Sequence, residues 1–248
     1  MRFEVSCKLS SSLLPVEYRR GFASLIKEAI RRANPSVFER YYHALHILKP
    51  FTFSVYFPDL RGCGGDSFEV GERAIIHFST SAPELGVSVY NGLLALRSYP
   101  LFENTLTLER INLERRVVVR EQTAIFKTMA PVLVNNKGDA NWYLLPGEAG
   151  FDEGLQFAIS EAARVFLGSV GASVAFHPIQ IKPKVIRHYN MHMRGFVGVF
   201  ELRGDPALLN LIYDIGLGVR RSQGFGMLEL VKQRPISQQI AGQGDSHE

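Results

Sequence analysis

The sequence predicts an α+β chain made of two ferredoxin-like (RRM-like) βαββαβ units in tandem, closed by a C-terminal glycine-rich loop. Three observations carry this. Stretches with two-residue apolar alternation and stretches with helical periodicity succeed one another in the same order twice, before and after about residue 121. The 248 residues are long for one compact unit and suit two small ones. Near the end, Gly216-Leu217-Gly218-Val219-Arg220-Arg221-Ser222-Gln223-Gly224-Phe225-Gly226-Met227 places four glycines between a helix pattern and a strand pattern.

In the first unit, Arg2 to Leu9 reads as a strand and Pro15 to Ala33 as a helix. Phe22, Leu25, Ile26, Ala29, Ile30 and Ala33 fall on one helix face, with Arg20, Ser24, Lys27 and Arg31 opposite. Asn34-Pro35 starts a short second helix over Ser36 to His46, which buries Phe38, Tyr41, Tyr42 and Leu45. Lys49-Pro50 forces extended backbone, because the residue before a proline avoids the helical region. Phe51, Phe53, Val55 and Phe57 then alternate with Thr52, Ser54 and Tyr56, as in a half-buried strand. A glycine-rich loop over Asp59 to Gly71, a strand over Arg73 to Thr80, a helix over Pro83 to Leu96 and a long strand or hairpin over Leu106 to Val119 complete the unit, taken as residues 1–120.

The second unit, residues 121–234, repeats the order: strand Thr123 to Leu133, loop Asn135 to Gly150, helix Asp152 to Leu167, strands Ser173 to Arg187 and Met193 to Leu202. Asp205 caps a last helix that opens at Pro206 and ends at Gly216, and Met227 to Lys232 is the closing strand. The polar stretch 235–248 is expected to be disordered.

Composition narrows the function classes. With 46% hydrophobic and 21% charged residues, the chain has material for two cores. A net charge of +4 suits a polyanionic partner without requiring one. Cys7 and Cys63 are too far apart for a disulfide framework or a zinc site, which fits a reducing cytoplasm. No run approaches the ~18 apolar residues of a membrane span, so no membrane partner is expected. The start, Met1 to Lys8, carries charges where a signal peptide needs an apolar core.

Glycines leave backbone N–H groups uncovered and permit positive φ, so the Gly216–Met227 stretch is suited to wrapping an anion, with Arg220, Arg221 and Ser222 adding donors. A nucleotide-binding P-loop runs strand, loop, helix and carries Gly-Lys-Ser/Thr; this one runs helix, loop, strand without that tripeptide. His43, His46 and Lys49 form a second concentration of chemistry. Cutting RNA without a metal needs a base for the ribose 2′-OH, an acid for the departing 5′-oxygen and a cation for the phosphorane, and two imidazoles with an ammonium supply all three. Spacing alone favours a plainer reading, in which one histidine merely caps the helix and the other decorates the surface.

The glycine stretch, above all Ser222 through Met227, resembles the C-terminal motif of the CRISPR-associated RAMP proteins, especially the Cas-six type endoribonucleases that cut repeat RNA. His43 in Tyr41-Tyr42-His43-Ala44 and Lys49 in Lys49-Pro50-Phe51-Thr52-Phe53-Ser54 stand where that family keeps a catalytic His and Lys. Phe78-Ser79-Thr80 with Pro83-Glu84-Leu85, and Asn91-Gly92-Leu93-Leu94, also look family-like. Where some members carry a catalytic Tyr on the first helix, this chain has Lys27, which leaves His46 or the Lys27 charge to cover that role. The resemblance implies a metal-independent endoribonuclease that cleaves CRISPR precursor transcripts within the repeat, leaving a 2′,3′-cyclic phosphate and a 5′-OH, with no cofactor. The rival it also allows is a RAMP-type subunit that holds repeat or guide RNA without cutting it. Other subunits of a CRISPR effector complex, or a second copy of the chain, are further partners within its scope. A pair of small-molecule regulatory domains of ACT type fits the same fold but gives Arg220 and Arg221 nothing to do.

For the RNA, Lys27, Lys127, Lys182, Lys184 and Arg187 are expected to join Gly216, Gly218, Arg220, Arg221, Ser222, Gly224 and Gly226 along a groove between the units. Lys182 and Lys184 share a strand face, whereas Arg187 needs a bend to join them. No metal site is expected: His188 and His192 are four apart but lie in a strand context without a carboxylate.

Overall fold

A computed structural model of the chain describes residues 1–43 and 47–234, with the side chains of 140 and 141 left aside. The expected disordered tail and His46 lie outside the described residues.

The first unit opens with β1 (Arg2–Leu9) and a short β2 (Leu13–Pro15), then α1 (Arg19–Ala33) and α2 (Pro35–Tyr42). Helix α1 begins four residues later than its periodicity suggests, because Leu13–Pro15 is taken into a strand. Asn34 caps α2, its side chain accepting from the Val37 N–H at 3.1 Å, and Pro35 sets the first turn. There follow β3 (Phe51–Tyr56), β4 (Gly62–Gly64), β5 (Ser67–Glu69), β6 (Arg73–Thr80), α3 (Pro83–Leu96), β7 (Ser98–Leu101) and β8 (Asn104–Leu113). The stretch read as a loop over Asp59 to Gly71 instead folds into β4 and β5, which pair with β2 in a small separate sheet. The main sheet runs β3-β6-β1-β8-β7, antiparallel throughout, with β1 and β6 at its centre.

The second unit contains β9 (Thr123–Thr128), β10 (Asn135–Asn136), β11 (Asp139–Tyr143), α4 (Phe151–Leu167), β12 (Val174–His188), β13 (Met191–Gly204), α5 (Pro206–Ile215) and β14 (Leu228–Arg234). Its sheet order, β12-β13-β9-β14, reproduces the order of the first four strands of the other sheet. Both are the ferredoxin-like arrangement the repeated pattern predicted. Residues 135–143, read as loop, form the β10–β11 hairpin.

Each unit has its own core, one built around Phe3, Phe22, Phe53 and Phe78, the other around Phe126, Phe151, Phe196 and Phe200. The two are joined by α5, whose buried residues Leu208, Leu209, Leu211, Ile212, Tyr213 and Ile215 surround most of the helix. It packs on β13 and β14 of its own unit and on β3 and β6 of the other. This explains a departure from the alternation read at β3: Thr52 and Ser54, expected on a solvated face, are buried, as is Ser79 on the neighbouring β6, since α5 and the loop after it cover that face. The Thr52 hydroxyl donates to the Phe225 carbonyl at 2.8 Å. Arg2 likewise crosses between the units, donating to the Leu228 carbonyl at 2.8 Å and lying over the Tyr213 ring.

The β12–β13 hairpin runs far past the sheet. Beyond Val199 it leaves β9 and its tip reaches the first unit. There the Asn190 N–H donates to the Glu17 carboxylate at 2.7 Å, Arg20 lies over the Tyr189 ring, and Arg187 pairs with Asp66. Among the described residues no helix is long and apolar enough to cross a membrane.

Candidate nucleic-acid interface

Lys49 is placed by the turn into β3. The Pro50 carbonyl accepts from the Thr80 hydroxyl at 2.6 Å and from the Ser81 N–H, which fixes the backbone just after the lysine. The Lys49 ammonium lies 4.7 Å from the centre of the Tyr42 ring. That ring stacks on Phe38 with 5.2 Å between centroids, and the Lys27 ammonium sits 5.4 Å from Tyr42 and 5.8 Å from Phe38. Two ammonium groups thus share one aromatic pair, a cation–π arrangement that places them without neutralising them. Burial and the Lys27 charge both hold the Lys49 amine below the usual lysine range. Burial raises the Tyr42 phenol, so its oxygen remains protonated.

His43 ends α2 as its C-cap residue, which is the plain structural role that spacing alone favours. Its imidazole is nonetheless exposed, with Nδ1 2.7 Å from the Glu39 carboxylate one turn earlier. A carboxylate on Nδ1 fixes the ring and leaves Nε2 free for proton transfer.

The glycine loop folds back on itself and onto β3. Gly226, at φ +73°, donates its N–H to the Pro131 carbonyl, and a Cβ there would stand 2.0 Å from the Leu217 carbonyl oxygen. Gly218, at φ +80°, comes as close to the Leu133 carbonyl, 2.2 Å from where a Cβ would be. These glycines permit close backbone packing, and the Gly216 and Gly224 N–H groups are likewise spent within the protein. The open half of the loop is different. The N–H groups of Gly218, Arg220, Arg221 and Ser222 meet no acceptor among the described residues. Arg220, itself in the left-handed region at φ +55°, donates from Nε to the Tyr143 hydroxyl at 2.6 Å. Arg221 turns inward: it is 7% exposed, has no carboxylate partner among the described residues, and burial brings its guanidinium down to about 10.

Lys49, Gly218, Arg220, Arg221 and Ser222 line one cavity of about 640 Å³. The front and back halves of the chain therefore meet there, a lysine from one and an arginine-bearing turn from the other lining the same space. The β10–β11 hairpin contributes Asn135, Asn136 and Lys137, and α4 contributes Phe157. None of these was singled out in the sequence; Asn135 to Lys137 lay in an expected loop, and Phe157 reads as one more apolar residue on a helix.

The other predicted cations are dispersed. Lys127 and Lys182 share a shallow cavity beside Gly198 and Val199. Lys184 and Arg187 line a third, with Arg19 and His192. Arg187 is engaged by Asp66 and faces Glu17 at 3.9 Å, so part of its charge ties the hairpin to the first unit. Arg19, which lines that third cavity, donates to the Gly224 carbonyl at 3.2 Å and so ties it to the loop. His188, paired in sequence with His192, is buried instead against Phe225 and bonds to the Gln223 amide oxygen at 3.2 Å. Burial lowers it to about 4, which keeps it neutral.

Comparison with known proteins matches the chain to two consecutive family models, "CRISPR-associated protein Cas6, N-terminal" over residues 13–112 and "CRISPR associated protein Cas6, C-terminal" over residues 113–230. A relative from Pyrococcus furiosus named CRISPR-associated endoribonuclease Cas6 is 27% identical over 227 residues, spanning 88% of this chain and 83% of the relative. One from Methanocaldococcus jannaschii, CRISPR-associated endoribonuclease Cas6 1, is 24% identical over 94% of both chains. Among solved structures, that of a Cas6-related gene from Pyrococcus furiosus superposes with a TM-score of 0.82 at 19% identity, covering 94% of this chain and 99% of its own.

Proposed function

The chain belongs to the Cas6 family of CRISPR-associated RAMP proteins, and from that membership we propose that it is a metal-independent endoribonuclease that cuts CRISPR precursor transcripts within the repeat. The observation that carries the reading is the shared cavity, lined by Lys49, by Arg220 and Arg221, and by loop residues whose N–H groups meet no acceptor among the described residues. An RNA backbone lying there meets donors from both halves of the chain.

In this reading the ribose 2′-OH upstream of the cut attacks the adjacent phosphorus and expels the 5′-oxygen, leaving a 2′,3′-cyclic phosphate and a 5′-OH. His43, held by Glu39, takes or returns the proton. Lys49, with Lys27 beside it, balances the charge that builds on the phosphorane oxygens. His46 is the second proton-transfer group. Gly218, Arg220, Arg221 and Ser222 grip the flanking phosphate, and Lys127, Lys182, Lys184 and Arg187 steer the strand further out.

The test is a denaturing gel of repeat RNA incubated in EDTA, with the same RNA carrying a single 2′-deoxy nucleotide before the cut as control. Cleavage that survives EDTA and fails on the deoxy substrate is expected. His43→Ala should slow cutting by about 10²- to 10⁴-fold while leaving binding of the deoxy RNA within about threefold. Arg220→Ala with Arg221→Ala should weaken binding first and flatten its salt dependence. Binding with no cleavage anywhere from pH 6 to 9 would replace the nuclease by an RNA-holding subunit.

A further inference from the structure

Helix α4 lines the cavity with Gly154, Phe157, Ala158 and Val165 as well as the charged pair Glu161 and Arg164. Phe157, Glu161 and Val165 follow one another at four-residue spacing along α4 and all line it. Glu161 is bonded to Arg164 through a 2.8 Å contact, so its charge is already answered. Phe157 is 51% exposed and belongs to neither core, although Leu155 and Ile159, two positions to either side, are buried. A phenyl ring left half in solvent beside Lys49, Lys137 and Arg220 is poorly suited to a phosphate and well suited to the flat face of a base. Asn135 lines the same cavity and is half-buried; its Oδ1 is buried and has no hydrogen-bond partner among the described residues, so a turn of the amide toward a base edge breaks no hydrogen bond at that oxygen.

We propose that this cavity seats one unpaired nucleobase, stacked on Phe157 with its edge read by the Asn135 amide, while the cations that line the same cavity hold the phosphates on either side of it. The inference rests on the RNA reading above and adds the chemistry that sets the position of the strand. A base still paired in a helix presents no free face to a side chain, so the occupant is a single-stranded or splayed nucleotide. Phosphate grips alone let a strand slide, because every phosphate is alike. One base lodged against Phe157 fixes which phosphate comes to rest beside Lys49.

The experiment measures binding of an uncleavable 2′-deoxy repeat RNA by fluorescence anisotropy, with an abasic nucleotide placed at each position in turn. For the unmodified protein one position should stand out, the abasic RNA binding about 10-fold more weakly or worse. Phe157→Ala should lose on the order of 10- to 100-fold on the intact RNA and be indifferent to the abasic site at that position. Phe157→Trp should keep the preference, and Asn135→Ala should relax which base is favoured there. Because Phe157 is exposed, its alanine variant should melt with the parent. An abasic series that is flat in the unmodified protein, or a Phe157→Ala variant that binds every RNA as the parent does, overturns the slot and leaves the RNA reading standing. No binding of any repeat RNA overturns both.

Discussion

At Lys49 burial and the neighbouring Lys27 act in the same direction, and both favour the neutral amine. A lysine whose pKa is lowered loses its proton at a pH where an ordinary lysine still holds one. Cleavage should therefore fall on the alkaline side earlier than an unperturbed lysine would dictate. Lys27→Met removes the like charge and should carry that alkaline limb to higher pH, while Lys49→Arg should remove the limb by keeping the cation charged. A pH–rate profile on the three proteins checks this; a limb that moves downward in Lys27→Met would show that Lys27 does not act through its charge. At this scale the sequence was informative about type and silent about burial. Lys49 before Pro50 could be read as a candidate from its context. That Phe38 and Tyr42, assigned to a core, form the surface on which both lysines rest could not, because periodicity gives a face and not what lies across it. Arg220 and Arg221 were read as equals, yet a left-handed residue followed by a tight turn sends one toward Tyr143 and the other inward.

At the scale of the element, the glycine loop is the clearest case of a motif read correctly for place and incompletely for reason. Its position between α5 and β14 followed from the caps and the apolar patterns on either side. The glycines were taken as an open cradle, but half of them permit main-chain packing that no contact-free reading could anticipate. Gly226→Ala asks for a Cβ 2.0 Å from a carbonyl oxygen in a left-handed backbone. It should cost about 1–3 kcal/mol, which a thermal melt would register as a drop on the order of 2–4 °C for each kcal/mol. RNA binding should weaken in parallel, since the open N–H groups of Gly218, Arg220, Arg221 and Ser222 depend on the same fold-back. A Gly226→Ala protein that melts with the parent would mean the loop is free to rearrange. The short β4–β5 and β10–β11 hairpins escaped notice for a simpler reason: β4, β5 and β10 have only two or three residues each, too few for a period to appear.

Across the whole molecule the two units are tied at several points, and Glu17 bears on one of them. Burial raises its carboxyl, but the Asn190 N–H and the Arg20 and Arg187 guanidiniums outweigh that and leave it below the usual glutamate range. Its contribution is therefore complete above about pH 4.5 and is lost as pH falls through the lower native value. Glu17→Gln should destabilise the protein by about 1–3 kcal/mol at pH 7, and its deficit relative to the parent should shrink as pH falls through that lowered value, where the parent carboxylate takes up its own proton. A deficit that stays constant as pH falls until the parent itself unfolds would show that the charge contributes nothing. The tandem architecture was visible because the same alternation of periods occurs twice; the way the units meet was not. Thr52 and Ser54 look like an ordinary wet face in sequence, and only α5, apolar on nearly every side, hints that a second sheet must cover it.

The β12–β13 arm is secured at its tip as well as at its root, through Asn190 on Glu17 and Arg187 on Asp66. A jaw needs a free end, and this arm is held at both of its ends. Any change in the spacing between the two sheets has to break those tip contacts, so the pair acts more as a gauge than as a clamp. Strands would then be sorted by whether they fit an outline already cut, with the cost of adaptation falling on the nucleic acid.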